Sequence, residues 1–218
     1  MPALFYLSLF SLMSLLPHAV FPAMPYRCQN EPEIVMQGVV YTALADMVIE
    51  QLGLPVWEQI LDAAALPSQG VYTAGARYDD AELLQLVSLL SQHTGIAPAD
   101  LVRSFGSYLF SQLYATLPPD LKSCQTLREF LLKIDSTIHK EVKRVYPDSY
   151  LPSFTYDDSK PDELIMYYRS RRKMCFAAEG LIEGAARQFN TDIQLSHPVC
   201  MHHGADCCTL IVTFSDKP

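Results

Sequence analysis

The chain has 218 residues, half of them hydrophobic, and carries 16 basic against 24 acidic side chains for a formal charge of −8. That length fits one domain or at most two, with a core large enough to need no disulfide staples. The apolar and aromatic content excludes intrinsic disorder, and the acidic balance argues against a nucleic-acid or anionic-membrane partner. Residues 3–16 form an apolar run of 14 residues, too short to span a bilayer as a helix. It has the length of a secretory signal core but no preceding positive charge, since the first basic residue is Arg27. Two readings follow: an export signal, or upstream sequence read in frame ahead of Met36. The missing charge favours the second, and with it a cytoplasmic protein. Residues 1–35 are then an extension, Cys28 included, and residues 36–218 are the domain.

From Met36 the chain reads as an amphipathic helix with Val40, Leu44, Met47, Val48 and Leu52 at helical spacing and Gly53 as its stop. Residues 67–75 read as a loop. A second helix is expected over Asp79–His93 and a third from Pro98 to the Pro118–Pro119 stop. Residues 126–146 place Leu127, Phe130, Leu131, Ile134, Ile138, Val142 and Val145 on one face, with Cys124 an ordinary helix residue before them. After Pro152 the pattern changes. Leu164–Arg169 reads as a strand, Met174–Phe189 as a helix, and Ile193–Ser196 and Cys208–Phe214 as strands, with a turn over His202–Asp206. The expected fold class is α+β: a helical half, then a mostly antiparallel half, in one integrated domain.

Two groups of residues carry chemistry. His139 flanks the apolar stripe of its helix; alone, such a histidine is more often structural than a ligand. In Tyr168-Arg169-Ser170-Arg171-Arg172 the residues 168, 170 and 172 alternate. An extended segment would therefore show a phenol, a hydroxyl and a guanidinium on one face, a set suited to a ligand with carboxylates. The plainer account is a solvated strand end with an incidental basic run.

Taken together, these residues give the chain a resemblance to the haem-nitric oxide/oxygen binding (H-NOX) family over essentially all of residues 36–214. It rests on MQGVVYTALADMVIE at the start, QGVYTAGARYDDAELL, His139 in TIHKEV, Pro152 thirteen residues on, YRSRR matching the pattern Y-x-S-x-R, and CFAAEGLIEGAA after it. The resemblance implies a b-type haem between a helical subdomain and a four-stranded antiparallel sheet. His139 would be the iron ligand, Tyr168, Ser170 and Arg172 would hold the propionates, and Pro152 would press the macrocycle out of plane. Oxygen-binding members place a tyrosine five residues after the motif arginine; here that position is Ala177, between Phe176 and Ala178. Val40 and Leu44 are expected to add to the same apolar wall, with Tyr41 turned away. A pocket without a donor discriminates against O₂ more than against NO or CO. The implied protein is a stand-alone NO sensor with no catalysis of its own. NO would break the bond between iron and His139, and the signal would pass to a separate histidine kinase or cyclic-di-GMP enzyme.

Cys175, His197, Cys200 and Cys208 stand apart. His197 and Cys200 have the H-x₂-C spacing of two ligands on one loop, and a Cys₃His set suits a closed zinc site; buried free thiols are an equal reading. Some bacterial H-NOX proteins carry zinc on this pattern, which the resemblance extends to these four residues. His202, His203 and Cys207 leave the set open. A zinc-thiolate redox sensor is the alternative function. An enzyme is disfavoured, since the chain has no Ser/His/Asp order, phosphate loop or purposeful carboxylate pair.

Overall fold

The computed structural model describes residues 35–215. The amino-terminal extension and Cys28 lie outside the described residues. Strand β1 (Val35–Gln37) pairs antiparallel with β2 (Arg77–Asp79) and leads into α1 (Gly38–Leu52). The first helix therefore begins two residues later than its hydrophobic spacing suggests, because residues 35–37 are taken up by pairing. Gly53 ends it with φ of 92°, a conformation that side-chain-bearing residues avoid, and Pro55 starts α2 (Leu54–Ala64) at once. Helix α3 (Asp80–Thr94) is capped by the Asp79 side chain accepting from the Ala81 amide at 2.8 Å. Helix α4 (Pro98–Thr116) follows, then the short α5 (Pro119–Lys122) and α6 (Leu127–Lys133). Cys124 is buried in the connection between α5 and α6, not in a helix.

The long helix expected over residues 126–146 is interrupted. Ile134–Ile138 forms a π turn between α6 and α7 (His139–Val145). Neither the π turn nor α7 has a fully buried residue, and Val145 is 61% exposed. The apolar stripe thus packs only as far as Ile138. Strands β3 (Ser153–Asp157), β4 (Glu163–Arg169), β5 (Ile193–Val199) and β6 (Cys208–Phe214) make an antiparallel sheet in the order β3-β4-β6-β5, and α8 (Cys175–Gln188) lies between β4 and β5 in sequence. The α+β class and the four-stranded antiparallel sheet are as expected.

Two cores result. The amino-terminal one gathers Tyr41, Leu44, Trp57, Leu86 and Phe105; the carboxy-terminal one gathers Phe130, Leu131, Leu164, Met166, Leu210 and Val212. Helix α4 serves both, giving Phe105 to the first and Phe110 to the second. It packs on α8 with no room to spare: a Cβ on Gly180 would lie 1.9 Å from the Arg103 carbonyl oxygen. No helix among the described residues is long and apolar enough to cross a membrane.

Candidate functional site

His139 opens α7 where the π turn ends. Its Nδ1 lies 3.3 Å from Asp135 Oδ1, the geometry of an imidazole N–H donating to a carboxylate. The same oxygen accepts the Phe154 amide at 3.4 Å, so one carboxylate ties the imidazole to the first residues of β3. Nε2 has no hydrogen-bond partner among the described residues. Burial pushes the His139 pKa down, and Asp135 opposes this only in part. The imidazole is therefore neutral at neutral pH, the form that ligates metal. Its ring lies 6.0 Å from that of Phe154, which stands 5.5 Å from the ring of Tyr168 across the β3–β4 pair. Pro152 is half-buried just ahead of that pair.

Tyr168, Ser170 and Arg172 do not share one strand face. Strand β4 ends at Arg169, and a turn closed by Lys173 N–H donating to the Ser170 carbonyl at 3.1 Å carries the next residues away. Lys173 holds φ at 51°, which is uncommon outside glycine. Ser170 and Arg172 are still linked, through the Arg172 backbone. Tyr168 and Ser170 are buried, and the Arg172 amide donates to Ser170 Oγ at 3.2 Å. Burial pushes the Tyr168 phenol far above its ordinary range, so it stays protonated and able to donate. Arg172 donates through Nε to Asp80 Oδ2 at 2.5 Å, through Nη1 to the Tyr150 carbonyl at 2.5 Å and through Nη2 to the Val35 carbonyl at 2.7 Å. A guanidinium has five N–H groups, so two remain for a bound carboxylate. The donor set fits a haem: a neutral imidazole with one nitrogen tethered and the other free, and phenol, hydroxyl and guanidinium donors for the propionates.

The expected distal wall is divided. Ala177 is 7% exposed and faces α4, where a Cβ on Gly106 would lie 2.3 Å from the Ala177 carbonyl oxygen. Val40 and Leu44 belong to the amino-terminal core. The Phe176 ring points elsewhere, stacking on His202 at 5.5 Å and standing 6.0 Å from His197. Tyr41 is fully buried in the amino-terminal core, stacks on Tyr72 at 4.7 Å, and donates its hydroxyl to the Asp79 carbonyl at 2.7 Å. Its hydroxyl is thereby engaged.

Cys175, His197, Cys200 and Cys208 come together, each offering a ligand atom within 4.8 Å of the others. A bulge between Ser196 and Val199 in the edge strand β5, at Pro198, re-aims His197 out of the regular ladder. His197 Nε2 is buried without a partner, as the nitrogen left for a metal would be. Burial pushes Cys175 and Cys208 up, and for Cys175 the neighbouring thiols add to it. Cys207 is not among the clustered ligands, and His202 Nε2 lies 2.8 Å from the Lys173 carbonyl. The sequence reading missed Glu179, a buried carboxylate whose Oε1 lies 2.5 Å from His197 Nδ1. Its signal was the Cys-x₃-Glu spacing, which stacks Cys175 and Glu179 on one face of α8.

A neutral, tethered imidazole and donors suited to carboxylates, carried on this α+β fold, point to a haem-binding domain. The chain belongs to the haem-NO-binding family, whose model matches residues 37–197. It is similar to an H-NOX protein from Shewanella oneidensis solved in the Fe(II)NO ligation state, at 33% identity and a TM-score of 0.78, covering 83% of this chain and all of that one. It is similar also to the Fe(II) unliganded H-NOX protein from K. algicida, at 29% identity and a TM-score of 0.77, covering 84% and 98% of the two chains. The Caenorhabditis elegans soluble guanylate cyclase gcy-34 is 24% identical over an alignment of 173 residues that covers 73% of this chain. The match spans about a quarter of that relative's length.

Proposed function

We propose that this domain is a haem-based nitric oxide sensor, without catalysis of its own, that regulates a separately encoded histidine kinase or cyclic-di-GMP enzyme. The observation that carries the reading is His139, held on Nδ1 by the carboxylate that also holds the start of β3. Haem, when bound, would supply a ferrous iron able to take up NO and, in doing so, to loosen its bond to an imidazole. His139 is the residue that would hold the iron and be released from it. Release frees α7, which has no buried residue to anchor it, and the change reaches β3 through Asp135. Tyr168, Ser170 and Arg172 would bind the propionates, and Pro152 would set the macrocycle's shape. Ala177 offers no hydrogen bond on the distal side, and Tyr41 spends its own on Asp79. That supports NO and CO as ligands over O₂. Similarity to a structure in the Fe(II)NO state supports the same reading.

Absorption spectra of the ferrous protein test it. The expected result is a five-coordinate ferrous haem that becomes a five-coordinate nitrosyl with NO and is unchanged by air. A stable oxy spectrum would remove the ligand assignment, and a six-coordinate nitrosyl would remove the release of His139.

The thiol cluster supports a second ligand, a structural Zn²⁺ on Cys175, His197, Cys200 and Cys208. The orphaned, buried His197 Nε2 favours it, and a Cys₃His set is the composition of a closed zinc site. Family membership favours haem sensing over a zinc-thiolate redox sensor as the main function.

A further inference from the structure

Glu179 is 4% exposed, and a carboxylate that deep requires partners. It has two, one on each oxygen. Oε1 lies 2.5 Å from His197 Nδ1, and Oε2 lies 3.2 Å from Arg103 Nη1. Arg103 comes from α4 and also donates through Nε to Glu183 Oε1 at 3.0 Å and through Nη2 to the same oxygen. Glu179 and Glu183 stand one turn apart on α8, with Cys175 one turn before them. The relay crosses between helices where Gly180 lets the Arg103 backbone approach α8 directly. A continuous path therefore runs from the thiol cluster through His197, Glu179 and Arg103 to α4, the helix shared by both cores.

We propose that Glu179 is a positioning residue of the thiol–imidazole site, holding His197 as its Nδ1–H tautomer so that Nε2 is the metal ligand, with Arg103 compensating the buried carboxylate from α4. The inference rests on the zinc reading of this cluster. A ligating histidine commonly gives its second N–H to a carboxylate, and removing that partner costs about 10–100-fold in metal affinity. The carboxylate that orients the ligand is thus also one of the ties between α8 and α4, through Arg103.

The test is a zinc titration of the full chain against a chromophoric chelator, with the Co²⁺ spectrum as a second readout. Wild type is expected to take one tightly bound equivalent and to show the bands of a tetrahedral thiolate-rich site. Glu179→Ala is expected to bind zinc about 100-fold more weakly, and Glu179→Gln about tenfold, since its amide oxygen still accepts the Nδ1–H. Glu183→Gln keeps the Arg103–Glu179 contact and is expected to stay within about twofold of wild type. Long-range proton–nitrogen spectra of the zinc-loaded protein are expected to show His197 protonated on Nδ1. Equal affinities in wild type and Glu179→Gln, or a proton on Nε2, overturn the positioning role while leaving the metal site standing. A wild-type chain that takes no zinc overturns both. Glu179→Gln retains the shape of the side chain, so the outcome does not depend on Glu179→Ala folding.

Discussion

Asp135 Oδ1 receives both the His139 imidazole and the Phe154 amide, so a single oxygen sets the ligand's tautomer and its link to the sheet. Asp135→Ala should release haem about tenfold faster, measured by transfer to an apo-globin acceptor; unchanged transfer would show that packing alone orients the imidazole. Asp80 invites a pH experiment. Burial raises its pKa, Arg172 only partly counters this, and its Oδ1 is buried without a partner. The folded chain thus takes up a proton at a higher pH than the unfolded one, whose Asp titrates near 3.9. Asp80's contribution to stability is therefore complete at acid pH and is lost as pH rises through the raised value. Denaturant melts should show the stability of wild type minus that of Asp80→Asn growing as pH falls from about 7 to about 4. A flat difference would mean that Arg172 fully offsets the burial. At this scale the sequence was only partly readable. Tyr168 alternates within a real strand and His139 flanks a real stripe. Ser170 and Arg172 lie in a turn that ends at Lys173 with positive φ, which nothing in that residue's identity announces. Glu179 escaped notice because an acid inside a helix ordinarily faces water.

The elements were legible where hydrophobic spacing runs long. Strand Cys208–Phe214 has the bounds its alternation suggests, and α3 and α8 differ from expectation by a residue at each end. Strands β1 and β2 are three residues each and carry no period to read. The π turn is hidden for a different reason. Five π residues wind through about the angle of four α residues, so an inserted residue is absorbed and the flanking stripe still reads as helical. Such turns gather at functional sites, and His139 follows directly on this one. Deleting Thr137 should let α6 and α7 join as one α-helix with the imidazole still directed inward. Haem content per chain, read from the Soret band, should stay within about twofold of wild type. Loss of the ferrous His-ligated spectrum in the deletion would show that the π geometry itself aims the ligand.

At the scale of the whole molecule, two apolar cores share α4, and Arg172 fastens them at a second point. From the turn after β4 it reaches Asp80 at the start of α3, the Val35 carbonyl in β1 and the Tyr150 carbonyl ahead of β3. Its side chain is 10% exposed and that of Asp80 17%, so solvent screens the pair little. Removing one member of a buried pair strands the other, at a cost of about 3 kcal/mol. Arg172→Ala should therefore lower haem-free stability by about that amount in urea. The loss should also be uneven. Amide exchange should quicken in β1 and the first turn of α3, while β4 and β6 keep their protection, since no Arg172 bond holds that core together. A uniform rise in exchange would mean that the domain opens as one unit and that Arg172 is no seam between halves. Because the guanidinium keeps two N–H groups for a carboxylate, haem should restore less of this stability to the variant than to wild type. The residue that closes the two halves on each other would then be one that the bound ligand recruits, which gives a change at the haem a direct path into the relation between the cores.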